Sequence, residues 1–295
     1  MNLSLPRSFP IAKAALAAAV IACVVALTCS LVGCASGGTD SSSADADNTS
    51  ASTDGKTLRV AMELAYPPFE TKDDAGNPEG LAVDFIRDFG AAYGYDVQIE
   101  NTAWDGLIPS LQSDKADLVI SSMTITDERK QSVDFSDAYA MAQLAILANA
   151  DSGVASIDDL NQPGKKVAVK TGSTGDVYAT KNLTDAEIVR LADESACVTE
   201  VVQGKADGFL YDQLTIYRNH QANPDTTEAV FIPFQNAEEW GIAVKKGNTE
   251  LLDQLNAFIA QSKTDGEFDR LTEKYLADEK KAFDQYGFKW FFDFE

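Results

Sequence analysis

The segment "LQSDKADLVISS" (residues 111–122) says most about the fold of this chain, because a close echo of it, "VVQGKADGFLYD", occurs at residues 201–212. In both copies a Lys-Ala-Asp triplet ends a helical pattern, precedes a short apolar strand and leads into polar residues. A second pair of segments, "LRVAMELAY" (58–66) and "KKVAVKTGS" (165–173), recurs in the same order. Two repeats in one order predict two lobes of similar build.

Strand and helix patterns alternate from residue 56 onward. Apolar residues at helical spacing in 80–93 predict a helix between two short strands. The predicted elements are strands at 58–62, 97–100 and 118–121, helices at 80–93 and 107–113, and two closing helices at 249–263 and 267–275. This βαβαβ order predicts an α/β fold, in which ligands bind at the carboxyl ends of the strands.

The N-terminus combines basic residues, an apolar run and a cysteine. Arg7 and Lys13 precede an apolar run, 14–31, which leads through Val32 and Gly33 to Cys34. A basic start and an apolar run are typical of a secretory signal, and Leu-Val-Gly-Cys resembles the lipobox, in which the Cys is acylated. We therefore expect a signal peptide at 1–33 and lipidation of Cys34. An uncleaved membrane anchor and ordinary secretion are the alternatives.

The residues after this cysteine predict a flexible linker. Residues 34–55 hold no large apolar side chain and are rich in Ser, Asp, Gly and Ala. With 1–33 removed and Cys34 acylated, Cys197 is the one remaining thiol, so no intramolecular disulfide can form. We expect Cys197 to be a small buried side chain in a helix at 194–203.

Composition and motifs argue against several functions. The chain has 295 residues, is 45% hydrophobic and carries a formal charge of −22, which excludes a nucleic-acid partner. A single histidine, His220, is predicted at the surface, and one mature thiol is too few for a zinc site. "KTGSTGD" (170–176) matches neither common phosphate-binding loop. We expect no metal and no cofactor, and no catalytic constellation is visible.

Arg129 is the first candidate for binding chemistry. It follows Thr126, a predicted helix N-cap, and its guanidinium can hold a carboxylate through two parallel hydrogen bonds. A solvated helix charge, or an ion pair with Asp134 or Asp137, is the alternative.

The other candidates follow strand ends. Ser122 and Thr124 can donate to the same anion, and Asp212, past the matching strand of the second repeat, can accept an ammonium group or cap the next helix. Glu63 and Lys170 occupy corresponding places in the two repeats, so they either pair across a cleft or offer an acceptor and a donor to a neutral polar group.

Five segments of the chain form one set of motifs: "YPPFE" (66–70), "WDGLIPSL" (104–111), "SSMTITDERKQSVDFSDAY" (121–139), "KKVAVKTGST" (165–174) and "WGIAVKKGN" (240–248). Together they resemble the extracellular solute-binding protein family, the polar amino-acid receptors of ABC importers. The resemblance implies a two-lobed, periplasmic-binding-protein-like (type II) α/β fold with two hinge crossings and the ligand in the interlobe cleft. It implies lobe 1 at 56–143 plus 239–295 and lobe 2 at 144–238.

The resemblance also implies a partner, a location and a set of contacts. We expect a monomer that is lipid-anchored on the outer face of the bacterial cell membrane and delivers its ligand to the permease. In the family pattern Arg129, Thr124 and Thr174 bind the ligand α-carboxylate, whereas Asp212 and Ser122 bind the α-amino group. The predicted ligand-binding residues are Glu63, Tyr66, Trp104, Ser121, Ser122, Thr124, Arg129, Lys170, Ser173, Thr174, Tyr211 and Asp212.

The pattern further implies that Tyr66 and Trp104 sandwich the ligand side chain, whose tip faces Glu63, Lys170 and Tyr211. An acid and a base together suit a neutral polar tip, and a lysine at position 170 resembles glutamine receptors, so glutamine is our first prediction. Trp104 and Tyr211 depart from the glutamine-type pattern, and arginine and glutamate stay open. A dehydratase-like enzyme on the same fold, with Glu63 as its acid, is the further alternative.

Overall fold

The computed structural model describes residues 56–231, 233–286 and 289–293. The strands are β1 (Lys56–Met62), β2 (Thr71–Lys72), β3 (Pro78–Glu79), β4 (Tyr95–Asn101), β5 (Leu118–Val119), β6 (Val133–Phe135), β7 (Ala140–Ala142), β8 (Leu144–Asn149), β9 (Lys166–Lys170), β10 (Glu187–Leu191), β11 (Gly208–Asp212), β12 (Thr227–Val230), β13 (Glu238–Trp240) and β14 (Ala243–Lys245). The helices are α1 (Leu81–Tyr93), α2 (Leu107–Gln112), α3 (Asp127–Lys130), α4 (Ile157–Leu160), α5 (Thr174–Asn182), α6 (Glu194–Val202), α7 (Gln213–Ala222), α8 (Thr249–Ser262), α9 (Glu267–Tyr275) and α10 (Ala277–Tyr286).

Two five-stranded sheets form the two lobes, which confirms the predicted fold class. Their orders are β4-β1-β5-β14-β6 and β10-β9-β11-β8-β12. In each sheet the first three strands run parallel, because helices carry the chain from one strand to the next. The other two strands in each sheet include antiparallel pairs, β14 with β5 and β8 with β11.

The sequence repeat corresponds to equivalent strands of the two sheets. The first pair of segments forms β1 and β9, and the Lys-Ala-Asp pair precedes β5 and β11. The aspartates of the two triplets have the same structural role: each accepts a hydrogen bond from a backbone N–H of the neighbouring strand. Asp117 Oδ2 accepts from Arg59 N and Asp207 Oδ2 from Lys166 N, both at 2.8 Å. The repeat therefore encodes a strand junction.

Helix α1 shows how apolar spacing builds the first core. Phe85, Ile86 and Phe89 are fully buried, and the rings of Phe85 and Phe89 pack against that of Phe258 in helix α8. Gly94 ends the helix in the left-handed region, at a φ of 75°. In the second lobe, Cys197 is buried within α6, as predicted.

Two short strands connect the sheets along the chain and pair with each other as a two-stranded ribbon. Strands β7 and β13 pair antiparallel, with Glu238 opposite Ala142, and each leads from one sheet to the other. The predicted lobe boundaries at 143/144 and 238/239 fall at this ribbon and stay a prediction.

Two details of the predicted secondary structure were wrong. The strand predicted at 118–121 ends at Val119, because the hydroxyl-rich residues after it turn into the cleft. The two predicted closing helices, seen as α8 and α9, are followed by a third, α10. After α10 the chain returns to the first lobe, where Trp290 and Phe291 are buried.

The predicted signal peptide, Cys34 and the linker at 34–55 lie outside the described residues. Within the described part of the chain, no helix has the length and apolar character needed to cross a membrane.

Candidate ligand-binding site

One cavity between the lobes collects most of the predicted site. Eleven of the twelve predicted residues line it: Glu63, Tyr66, Trp104, Ser121, Ser122, Thr124, Arg129, Ser173, Thr174, Tyr211 and Asp212. The strand ends bring them together, since β1, β5, β9 and β11 all point their carboxyl ends at this cleft. Lys170, the twelfth, does not line the cavity but pairs with Glu63, which does. The binding roles of these residues stay a prediction.

Arg129 is held by the first lobe and reaches the second. The Thr126 hydroxyl accepts from Arg129 N at 3.2 Å and so caps helix α3. This cap fixes the first turn of the helix, which carries Arg129 at the cleft. Its Nη1 donates to Thr124 O at 2.7 Å, and its Nη2 donates to Gly172 O at 3.1 Å. The guanidinium lies 5.2 Å from the centre of the Trp104 ring. Burial lowers the pKa of Arg129 below its usual value, and the nearby charge of Glu238 opposes that shift.

The predicted alternative of an ion pair with a neighbouring acid does not describe Arg129. Asp134 instead pairs with Lys246, at 3.4 Å. The hydrogen bonds of Arg129 to two carbonyls leave further N–H groups of its fork available for an anion in the cavity.

Asp212 both caps a helix and faces the cavity. Its Oδ1 accepts from Leu214 N at 2.9 Å and from Thr215 N at 3.1 Å, which starts helix α7. Its Oδ2 is buried and accepts no hydrogen bond of ordinary geometry among the described residues. Burial raises the pKa of Asp212 above its usual value, and the nearby hydroxyl of Tyr66, which interacts with the carboxyl group as a donor, opposes that shift. A buried carboxyl group that lines a cavity and keeps acceptor capacity on one oxygen is suited to bind a cation.

Glu63 and Lys170 form an ion pair across the cleft. The Lys170 ammonium donates to Glu63 Oε2, and only 4% of Lys170 is exposed. Lys170 Nζ also lies 5.1 Å from the centre of the Trp104 ring. The Trp104 ring therefore makes cation–π contacts with both Lys170 and Arg129.

Two acids of the cavity were missed. Glu70 is 1% exposed and accepts from Ser122 Oγ at 3.1 Å, and burial raises its pKa well above the usual range. The signal was available, because Glu70 ends the "YPPFE" segment. Ser122 itself adopts a φ of 48°, an uncommon conformation for serine that accompanies functional sites.

The second missed acid, Glu238, lies on the ribbon strand β13. Its Oε2 accepts from Thr124 Oγ1 at 2.9 Å and from Thr174 Oγ1 at 2.8 Å. No pattern in the sequence pointed to it, since "NAEEW" (236–240) resembles any polar turn. Leu144 and Trp240 line the same cavity and were also not predicted.

A further acid lies close by on helix α6. Burial, together with the negative charge of Asp212, raises the pKa of Glu194 to about 8. Around the cavity, acids therefore outnumber bases: Glu63, Glu70, Asp212 and Glu238 face Arg129 and Lys170. No group of three or more His, Cys, Asp or Glu side chains in the described ranges is placed to hold a metal ion.

The comparisons with known proteins agree with this geometry. Residues 58–278 match the bacterial extracellular solute-binding proteins, family 3. A probable histidine-binding protein of Neisseria gonorrhoeae is 36% identical over 76% of this chain and 85% of its own. An L-arginine-binding protein of Pseudomonas aeruginosa is 33% identical over 79% of this chain and 90% of its own.

Solved structures give the same result. An ancestral arginine-binding protein bound to arginine is 37% identical, with a TM-score of 0.69 over 75% of this chain and 98% of that one. A form bound to glutamine has a TM-score of 0.69 and 36% identity, with the same coverage. An ancestral amino acid-binding protein, a precursor of cyclohexadienyl dehydratase, is 38% identical, with a TM-score of 0.68 over 74% of this chain and 94% of that one. The chain belongs to the bacterial extracellular solute-binding proteins of family 3, whose named relatives here bind amino acids.

Proposed function

We propose that this chain is the substrate-binding component of an ABC importer and captures a polar L-amino acid between its two lobes. One observation carries the proposal. The Arg129 fork and the buried carboxyl group of Asp212 line one cavity, so a single small molecule can meet a cation and an anion there. An amino acid carries the complementary pair on one carbon atom, an α-carboxylate and an α-ammonium group.

The ligand would couple the two lobes. Arg129 belongs to the first lobe and Asp212 to the second, so a zwitterion held by both favours the closed arrangement over an open one. The permease would then recognise the closed form. Micromolar affinity corresponds to about 8 kcal/mol of net binding free energy.

Glutamine is our first proposal for the ligand. Because Lys170 is neutralised by Glu63, the tip of the site presents a donor and an acceptor rather than a free charge. The amide of glutamine can use both. A solved relative bound to glutamine supports a neutral polar side chain in this fold.

Arginine is the second candidate, and a specific observation favours it. Acids outnumber bases around the cavity, and Glu194 adds another carboxyl group nearby. A guanidinium that paired with Glu63 would have to release Lys170. The arginine-binding relative and the solved arginine complex give this candidate its weight.

Binding rather than catalysis is our proposal for the chemistry. Glu63, the acid predicted for a dehydratase-like role, is engaged by Lys170. The named binding proteins at 33–36% identity support the same choice.

The N-terminal part of the proposal concerns location. Lipidation at Cys34 after removal of 1–33 would anchor a monomer on the extracytoplasmic face of the membrane, and the linker at 34–55 would let it reach the permease. Mass spectrometry of the N-terminal peptide tests this: a diacylated Cys34 is expected, whereas an unmodified residue 34 or an intact N-terminus contradicts it.

Calorimetric titration of the full chain, unfolded and refolded to remove carried-over ligand, tests the ligand. Glutamine is expected to bind with micromolar or tighter affinity, and arginine more weakly. Lys170→Met is expected to reverse this preference, because it frees Glu63. If no amino acid among glutamine, arginine, histidine, cystine and glutamate binds, the receptor proposal is wrong, and turnover of a cleft substrate should then be assayed.

A further inference from the structure

We propose that Glu238, on the ribbon between the lobes, is a built-in competitor of the ligand α-carboxylate that lowers the affinity of the site. The inference rests on the proposed function, because it assigns the two threonine hydroxyls to an anion subsite. It concerns a residue that the sequence did not predict.

The hydrogen bonds of Glu238 define the competition. Its Oε2 accepts from Thr124 Oγ1, in the first lobe, and from Thr174 Oγ1, in the second, at 2.9 and 2.8 Å. Each hydroxyl carries a single proton. While both protons point at Glu238, neither hydroxyl can donate to another carboxylate.

The position of Glu238 is fixed by its surroundings. Its backbone pairs with Ala142 in the β7–β13 ribbon, and its Oε1 accepts from Gln235 Nε2 at 2.7 Å. The positive charge of Arg129 also acts on this side of the cavity: burial lowers the pKa of Arg129, and the charge of Glu238 opposes that shift. A carboxylate, two hydroxyl donors and a guanidinium thus stand together, which is the arrangement proposed for the ligand.

Two consequences follow. First, a ligand carboxylate must displace Glu238 from the hydroxyls, so the measured affinity is lower than the cleft could otherwise supply. Second, Glu238 helps to join the lobes without a ligand, because one oxygen accepts from both. It does so in addition to the contacts of Arg129 with Gly172 and of Lys170 with Glu63. The same residue therefore raises the affinity threshold and adds to the closed population before any amino acid arrives.

The variants are chosen to separate this role from general charge effects. Glu238→Ala removes both acceptor oxygens, and Glu238→Gln keeps the shape while removing the charge that strengthens the two hydrogen bonds. Glu239→Gln is the matched control, because the neighbouring acid is exposed and does not line the cavity. Melting temperatures of all three establish that each variant folds.

Two measurements on the full chain test the inference. In calorimetric titrations with L-glutamine and L-arginine, Glu238→Ala is expected to bind the preferred amino acid about tenfold more tightly than the natural chain, with Glu238→Gln between them. Without added amino acid, small-angle X-ray scattering is expected to show a larger radius of gyration for Glu238→Ala than for Glu239→Gln, because the lobes separate more often.

The outcomes separate this inference from the proposed function. Unchanged or weaker affinity in both Glu238 variants overturns the competition, because the carboxylate would then support the bound state. If the natural chain binds neither amino acid, these two ligands are wrong and the radius of gyration decides alone. An equal radius in Glu238→Ala and Glu239→Gln would show that Glu238 does not join the lobes.

Discussion

Replacing Arg129 by lysine is the most direct test of the proposed anion clamp. The substitution keeps the positive charge on helix α3 but removes the planar fork, whose Nη1 and Nη2 donate to Thr124 O and Gly172 O. It also removes the flat guanidinium that faces Trp104. We therefore expect a loss of ligand affinity even though the net charge is unchanged.

The structure allows the size of the loss to be worked out. A lysine can replace one of the parallel hydrogen bonds to a ligand carboxylate, so about one charge-assisted bond is lost, worth roughly 1.5–3 kcal/mol. At about 1.4 kcal/mol per factor of ten, affinity falls about 10- to 150-fold. Arg129→Ala removes the charge as well, and a loss of 2–5 kcal/mol, roughly 30- to 5,000-fold, is expected.

Calorimetric titration with glutamine and arginine measures both variants. Lys130→Ala is the control, because Lys130 is the next residue of the same helix and its side chain is exposed. The control is expected to bind within about twofold of the natural chain. If Arg129→Ala also binds within threefold, the carboxylate is held elsewhere and the clamp argument fails.

Three further predictions concern charge and packing. Asp212→Asn is expected to keep its melting temperature, because asparagine also caps helices. It is expected to lose at least about 100-fold in glutamine affinity, because the side chain no longer opposes the ammonium group with a charge. Thermal melts and calorimetry measure these two quantities, and full affinity would refute the assignment. The pKa of Glu194 is raised to about 8 in the folded chain, so the free energy of unfolding is expected to fall as pH rises from about 5 to 8, and to fall less in Glu194→Gln. Urea titrations at the two pH values measure this fall, and an equal fall in the natural chain and in Glu194→Gln would contradict the prediction. Phe291→Ala, at a fully buried ring, is expected to lower the free energy of unfolding by about 3–5 kcal/mol, and Phe291→Leu by less than about 1.5 kcal/mol, as urea denaturation would show.

The strand ends explain why most of the cavity was predictable. Each sequence repeat places its polar residues after a short apolar strand, and the parallel strands of both sheets bring those ends to one cleft. Asp212 was predicted as either a helix cap or an ammonium acceptor, and its two oxygens are suited to both. The family resemblance supplied the roles, which local patterns cannot distinguish.

The missed acids are placed by backbone pairing that hydrophobic spacing does not reveal. Glu238 enters the cavity because β13 pairs with β7, a strand almost a hundred residues earlier in the chain, and that pairing leaves no local pattern. Glu70 faces inward because its backbone pairs with Tyr66 across a tight turn, through hydrogen bonds of 2.8 and 3.0 Å. Neither direction can be predicted from hydrophobic spacing alone.

The C-terminal tail shows how a segment outside the family match can shape the site. The match ends at residue 278, whereas Phe291 packs its ring 5.2 Å from that of Phe69 and 5.5 Å from that of Trp240. Its carbonyl accepts from Met141 N at 2.7 Å, on the ribbon strand β7. Tyr66, which lines the cavity, stacks on Phe69 with ring centres 5.6 Å apart. Because Phe291 packs on Phe69 and Phe69 packs on Tyr66, the tail helps to hold the Tyr66 ring in place at the cavity. We therefore expect Phe291→Ala to lower both the free energy of unfolding and the ligand affinity.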